Sequence, residues 1–359
     1  MWGDPGVSQL SQLQETPILY PSATGGSKTQ TLQRAGLLRR LRFLAKAKLN
    51  VSAYTAAPAR SAYGLGGFLS RIRVNANGKI PLMDLSGLGA MIYNEVQNRD
   101  GSPLCAPAYD TTAGVVAAAA LQVYDAISAT GDKNFSFPFE FQFGLPVDIQ
   151  ARVNELGLWL LQNQAIDVGI ECQFNPLYAA SATPNSLWSG GTLTATATQA
   201  DTSLQIEREY YDLPNKQEDY PDLRWVHQVI EYEQPFSGSF CRFPIPRAGL
   251  LLRAVVINLD TNGALVEYSD IDSLSWKYGS NETPVSRPGW ALAAEYLQDY
   301  SRYAPKGASV LDFYKWGWEG LKMVKDTETL ANLRLETKFI ATTAGTQKVI
   351  LDTLVPVGR

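Results

Sequence analysis

Side chains able to do chemistry are few in this chain and widely scattered. The single histidine, His227, sits in the strand-like run Trp225-Val226-His227-Gln228-Val229. A triad needs a base held by an acid beside a nucleophile, and the familiar zinc sets need further imidazoles or thiolates; one histidine on a strand supplies neither. Cys105, Cys172 and Cys241 are odd in number and far apart, with no Cys-x-x-Cys pair, so they read as reduced thiols. No Gly-x-Ser-x-Gly elbow surrounds a serine. Gly64-Leu65-Gly66-Gly67 and Ser86-Gly87-Leu88-Gly89 lack the lysine and hydroxyl of a phosphate loop. Carboxylates are plentiful, which leaves a two-carboxylate glycosidase open, but no pair is singled out. No catalytic, cofactor-binding or metal-binding set emerges.

Two other patterns suggest binding. Over 37–51, Arg39, Arg40, Arg42, Lys46 and Lys48 interleave with apolar residues, as an anion site would. From 41 to 49, however, Leu41, Phe43, Ala45, Ala47 and Leu49 alternate with Arg42, Leu44, Lys46 and Lys48, the pattern of a strand with one solvated face. Phe135, Phe137, Phe139, Phe141 and Phe143 occupy every second position, projecting five rings from one face of a strand. Such a comb is either a sugar-stacking platform or, more commonly, part of a β-sandwich core.

The elements that would position these residues are mostly strands. Alternation marks strands over 68–74, 166–174, 192–198, 225–233, 240–258, 309–316, 332–339 and 347–355, with Asn77-Gly78 and Asn262-Gly263 as tight turns. Helices are predicted over 112–127, where alanines follow Asp110, Thr111 and Thr112, and over 289–303, between Pro288 and Pro305. The acidic passage 201–224 reads as a connection between domains.

The chain has 359 residues, which favours two cores over one. Charged residues make up only 18%, while Tyr (17) and Trp (8) are generously used, a balance suited to surfaces hidden against other chains. A net charge of −4 provides no basic field for nucleic acid. No signal peptide pattern and no run of eighteen apolar residues is present.

A repeat organises the whole. Arg34-Ala35-Gly36-Leu37-Leu38-Arg39-Arg40 returns 213 positions later as Arg247-Ala248-Gly249-Leu250-Leu251-Leu252-Arg253, identical at six of seven residues. A second echo follows in the same order: Ala117 to Tyr124, ending Leu121-Gln122-Val123-Tyr124, and Ala293 to Tyr300, ending Leu297-Gln298-Asp299-Tyr300. Two landmarks in one order point to tandem duplicated units. They stand 83 residues apart in the first copy and 46 in the second, so the first carries 37 extra residues, expected as loops within 63–67, 86–89 and 98–108.

Two β-rich units, each with one late helix, call for tandem eight-stranded jelly rolls, an all-β fold. The layout, carried by the paired heptads, the paired helices and the late strands 155–163 and 306–313, resembles the double jelly-roll major capsid proteins of membrane-containing icosahedral bacteriophages of the tectivirus type. The resemblance implies a pseudo-hexagonal homotrimer tiling a virion shell, assembled in the host cytoplasm. Implied partners are the chain itself, neighbouring capsomers, and minor capsid or penton proteins; no enzyme activity, cofactor or direct sequence-specific nucleic-acid contact is implied. The division expected is an arm over 1–31, a first jelly roll over 32–205 and a second over 206–359. The arm is rich in Gln, Ser, Thr, Gly and Pro and carries isolated Trp2, Leu10, Leu13, Ile18 and Tyr20. It reads either as a solvated tail or as a segment ordering against a neighbour through those five residues, and the resemblance extends this to the internal viral membrane. The alternatives are a carbohydrate-binding or glycoside-cleaving β-sandwich, which would need its rings exposed along a groove, and a viral spike or tail component.

Overall fold

A computed structural model of the protein describes residues 9–21, 25–55, 59–60, 65–97, 123–124, 128–146, 155–161, 167–176, 188–189, 192–197, 201–214, 216, 220–279, 282–301, 304–305, 307–315 and 324–357. The first unit is built from β1 (Leu10–Gln14), β2 (Gly26–Thr31), β3 (Leu37–Thr55), β4 (Leu69–Ala76), β5 (Ile80–Leu85), α1 (Gly87–Gln97), β6 (Gly131–Gln142), β7 (Val168–Phe174) and β8 (Ser203–Tyr211). One sheet runs β1-β8-β3-β6 and the other β2-β7-β4-β5. Apart from the β4-β5 hairpin, successive strands thus pass between two facing sheets, which is the jelly-roll path. Alternation decides which side is inside. Leu41, Phe43, Ala45, Ala47 and Leu49 of β3 are buried, and so are Phe135, Phe137, Phe139 and Phe141 of β6, with Phe143 just beyond. The comb is therefore core: Phe43 stacks on Phe139 at 4.7 Å. The hairpin between β4 and β5 turns at Asn77 (φ 52°) and Gly78 (φ 64°), both in the left-handed region that this two-residue turn requires.

The second unit repeats the path with β9 (Trp225–Pro244), β10 (Leu250–Asp260), β11 (Ile271–Tyr278), β12 (Glu282–Arg287), α2 (Gly289–Tyr300), β13 (Ala308–Asp312) and β14 (Arg334–Pro356). Here two long strands each serve both sheets. The first half of β9 pairs with the last part of β14, and its second half, past a bulge at Gly238, pairs with the first part of β14. One sheet is β9-β14-β10-β13 and the other β9-β14-β11-β12. Leu333, Leu335, Thr337 and Phe339 point inward as their alternation predicts. The units join edge to edge, since β5 lies parallel to β9 with Met83 opposite Val229 and Asp84 opposite Ile230.

The repeated heptad has a physical cause. Gly36 and Gly249 both have positive φ, 58° and 86°. A Cβ on Gly36 would stand 2.3 Å from the Tyr211 carbonyl oxygen, and one on Gly249 2.5 Å from that of Leu354. Those two residues pair with Leu37 and Leu250, at the start of β3 and β10. A bulge follows at the same point of each copy. Arg39 is skipped where Glu209 pairs with Arg40 and Tyr210 with Leu38; Leu252 is skipped where Asp352 pairs with Arg253 and Thr353 with Leu251. Glycine and bulge together bend the strand into its sheet.

Three expectations need correcting. Among the described residues the longest helix of the first copy is α1, in a stretch read as glycine-rich loop. It is capped by Ser86, whose Oγ accepts the Gly89 N–H at 3.0 Å. Gly89 serves close approach, because a Cβ there would stand 2.0 Å from Oε2 of Glu231. The helix expected over 112–127 lies outside the described residues up to 122, and Val123–Tyr124 is a strand pairing with Phe135 and Ser136. Among the described residues the counterpart of α2 is α1, which follows the β4-β5 hairpin as α2 follows β11-β12. Finally, the passage 201–224 contains β8, paired to β3 from Ser203 to Tyr211. Its acidic residues read as linker because the arginines that receive them lie far away in sequence.

Substituting Gly36→Ala or Gly249→Ala is expected to lower stability by about 1–3 kcal/mol through forced strain, read as a shift of the urea midpoint at unchanged slope. Gly78→Ala has a positive φ but nothing within 4 Å of the added carbon, and is expected to cost about 1 kcal/mol or less.

Candidate functional site

Among the described residues no cluster of three or more His, Cys, Asp or Glu could hold a metal ion. The concentrated chemistry lies where the two units meet. The outer face of the β10-β14-β13 sheet carries Arg253 and Asp352, both shut off from solvent, with Asp312 beside them. Arg253 Nε is 3.4 Å from Asp352 Oδ2 and 3.5 Å from Asp312 Oδ2. Its guanidinium also lies over the Tyr314 ring, 5.9 Å from the centroid. The first unit contributes the lid: every residue of α1 is buried, and its Tyr93 hydroxyl donates to Asp352 at 2.9 Å. Tyr300 of α2 donates to Asp312.

His227 belongs to this joint. Nδ1 is 2.8 Å from the Gln142 carbonyl oxygen at the end of β6, and Nε2 is 2.6 Å from Asp352 Oδ1. Both ring nitrogens thus face oxygen atoms, and Arg253 lies against the carboxylates Asp312 and Asp352. The Phe141 ring stacks on the imidazole at 5.4 Å. Burial works to raise the Asp352 pKa, but the charges of His227 and Arg253 outweigh it and hold the carboxyl below its usual range. Burial, reinforced by Asp352, pushes the Tyr93 phenol well above its ordinary value. A second tie crosses the joint at the start of α1, where Ser86 N–H and Oγ–H donate to Glu231 of β9 at 3.0 and 2.8 Å. The carboxylate thus sits at a helix N-terminus, and Lys348 meets its other oxygen at 2.7 Å.

The corresponding face of the first unit carries a related set. Arg40 occupies the heptad place of Arg253, and Glu209 lies across from it as Asp352 does from Arg253. Arg40 donates to Glu209 at 2.7 Å and meets Glu140 at 3.2 Å, and Arg42 meets Glu207 at 3.3 Å. Arg39 links Glu155 at 3.0 Å with Glu209. Arg39, Arg40, Arg42 and Lys48 of β3 are thus engaged by the chain's own acids. Burial opposes ionisation of Glu209, yet Arg40 and Arg39 hold its pKa below the ordinary value.

Of the arm residues, Trp2 lies outside the described residues. Leu10 is exposed and Leu13 half-buried in β1, while Ile18 and Tyr20 are buried in the first unit's core. Glu15 and Arg208, both buried, meet at 3.0 Å, and Arg208 also donates to the Gln33 carbonyl. Cys172 and Cys241 are free and buried, the first with its thiol pushed up to about 12 by burial and Glu171; Cys105 lies outside the described residues.

Replacing Arg253→Met would leave two buried carboxylates facing one histidine, and is expected to destabilise the protein by about 3–5 kcal/mol in urea unfolding. Asp352 also gives a sign in pH. Its folded pKa lies below the ordinary 3.8, so the unfolded chain binds its proton first as pH falls. The stabilisation is therefore complete above that value and lost as pH drops through the folded pKa. Asp352→Asn is expected to flatten the acid limb of a plot of unfolding free energy against pH, and an unchanged limb would rule this contribution out.

No protein-family model and no curated protein matches the sequence. Solved structures match over nearly its whole length. The STIV MCP, of Sulfolobus turreted icosahedral virus, aligns with a TM-score of 0.66 at 14% identity, covering 97% of this chain and 97% of its own. The major capsid protein P2 of bacteriophage PM2 aligns with a TM-score of 0.57 at 11% identity, covering 98% and 99%. The PBCV-1 virus capsid protein aligns with a TM-score of 0.62 at 10% identity, covering 97% and 93%. At these identities the likeness is one of fold, and it spans both units and their side-by-side joint: the chain is a double jelly roll.

Proposed function

We propose that this chain is the major capsid protein of an icosahedral virus, a structural subunit that assembles with itself as a homotrimer of pseudo-hexagonal outline. One observation carries the reading. Two jelly rolls of the same path stand edge to edge, and the solved structures named above that share this layout over nearly their full length are capsid proteins. Two similar units in one chain let a closed three-fold oligomer present six similar edges, a shape that tiles a surface. The sugar-binding alternative loses its main support, because the phenylalanine comb is packed into the core.

The finer points belong to the same proposal. The setting is a membrane-containing bacteriophage, with the subunit in the virion shell and assembly in the host cytoplasm. The two units divide within 212–224, between β8 and β9. The segment before β3, which adds β1 and β2 to the first unit's sheets, offers exposed Leu10 and Leu19 to a neighbouring capsomer, a minor capsid or penton protein, or the internal membrane. Trp2, Leu13, Ile18 and Tyr20 complete the proposed contact set, the last two as anchors holding the segment to its own unit.

Light scattering of the purified chain is expected to give about 118 kDa, three times the 39.4 kDa subunit, with hexagonal outlines in negative-stain images. A stable monomer that binds glycans would overturn the capsid reading in favour of a sandwich lectin.

A further inference from the structure

The two copies of the repeat differ in one respect: one outer face is covered and the other is open. In the second unit, Arg253 and Asp352 are 0% and 1% exposed beneath α1. In the first, Arg40 is 18% and Arg42 40% exposed. The helices differ in the opposite sense. Whereas α1 is buried at every residue, α2 buries only Gly289, Leu292 and Tyr296. Trp290, Ala294 and Leu297, spaced to share one helix face, form an exposed apolar stripe, with Trp290 66% and Leu297 40% accessible. The strand edges agree. The hairpin strand before α1, β5, has β9 as its parallel neighbour, but among the described residues its counterpart β12 pairs only with β11. On the other side β1, the counterpart of β9, pairs among the described residues only with β8. One chain therefore carries an unused plug at one end and an unused socket of matching design at the other.

We propose that α2 of one copy docks on the β3-β8-β6 face of a second copy, with Trp290 and Leu297 over the Arg40–Glu209–Glu140 ladder and β12 beside the second copy's β1. The proposal rests on the self-assembly reading above and adds its surface. The contact continues an interface already present within the chain, applied once more from the second unit to the next first unit. Its chemistry fits: a flat indole with an N–H donor meets guanidinium planes and carboxylates that are already half withdrawn from water. The contact is head to tail, the kind that can close into a ring, and the trimer of the self-assembly reading fixes that ring at three.

The test combines two variants of the full chain. Trp290→Glu is expected to convert the trimer peak to monomer in light scattering while leaving the thermal melting curve of the monomer intact, and Trp290→Phe to retain the trimer. A photo-reactive p-benzoylphenylalanine in place of Trp290 is expected to cross-link between chains, with adducts mapping to β3, β6, β8 or β1. If the wild type is trimeric but Trp290→Glu remains so, or the adducts map elsewhere, this surface is wrong and the self-assembly reading survives. If the wild type is monomeric at every concentration, both fall. Should Trp290→Glu unfold, the cross-link map alone decides.

Discussion

A guanidinium can be sealed beneath a helix only if carboxylates receive it, and the seating of one jelly roll on the other turns on that condition. Arg253 is enclosed by Asp312 and Asp352 from its own unit, and Tyr93 and His227 complete the shell. Without the first unit's helix, these charges would lie on an open sheet face in water. Without the charges, the hydroxyl of Tyr93 would enter the joint with no acceptor. Desolvation makes a misaligned version of this contact expensive, so the joint selects one relative placement of the two units more than it adds stability. Apolar packing supplies the bulk: the first unit's core cluster continues across α1 to Val255, Ile257 and Ile350 of the second.

The same economy explains why each heptad repeats where it does. A bulge in the strand after a left-handed glycine turns an arginine onto the outer face opposite an acid from the last strand of the unit. In the second unit that pair becomes a buried joint. In the first it becomes a ladder shared among Arg39, Arg40 and Arg42, at the solvent boundary where single ion pairs contribute little but a network fixes side-chain geometry.

Much of this was legible in sequence wherever a local pattern has a local cause. The Phe135-to-Phe143 comb, the alternation in β3, the Asn77-Gly78 turn and the helix after Pro288 are set by neighbours within a few residues, and the heptad is legible because it recurs, although its glycines answer to Tyr211 and Leu354 far along the chain. What escaped reading depends on distant partners. Gly89 looks like loop until Glu231 is seen beside it; the acids of β8 look like linker until Arg39, Arg40 and Arg42 are seen across the sheet; His227 looks idle until Asp352, 125 positions on, is placed against it. At the end of the echo at 117–124, Val123 and Tyr124 form a strand whose place is set by Ser136 and Phe135 across the sheet. Spacing after the heptad was the weaker guide, and the hairpin before each helix is the true landmark.

The long strands of the second unit have a mechanical consequence. Because β9 and β14 run through both of its sheets, a pull along them is shared in shear by nineteen residue pairs, fourteen up to Gly238 and five beyond it. The first unit makes the same circuit from shorter pieces, β1 and β2 on one side and β7 and β8 on the other, whose rungs are loaded in smaller groups. Tension across the subunit therefore finds its compliant part in the first jelly roll, and the second acts as the stiff strap that carries the load.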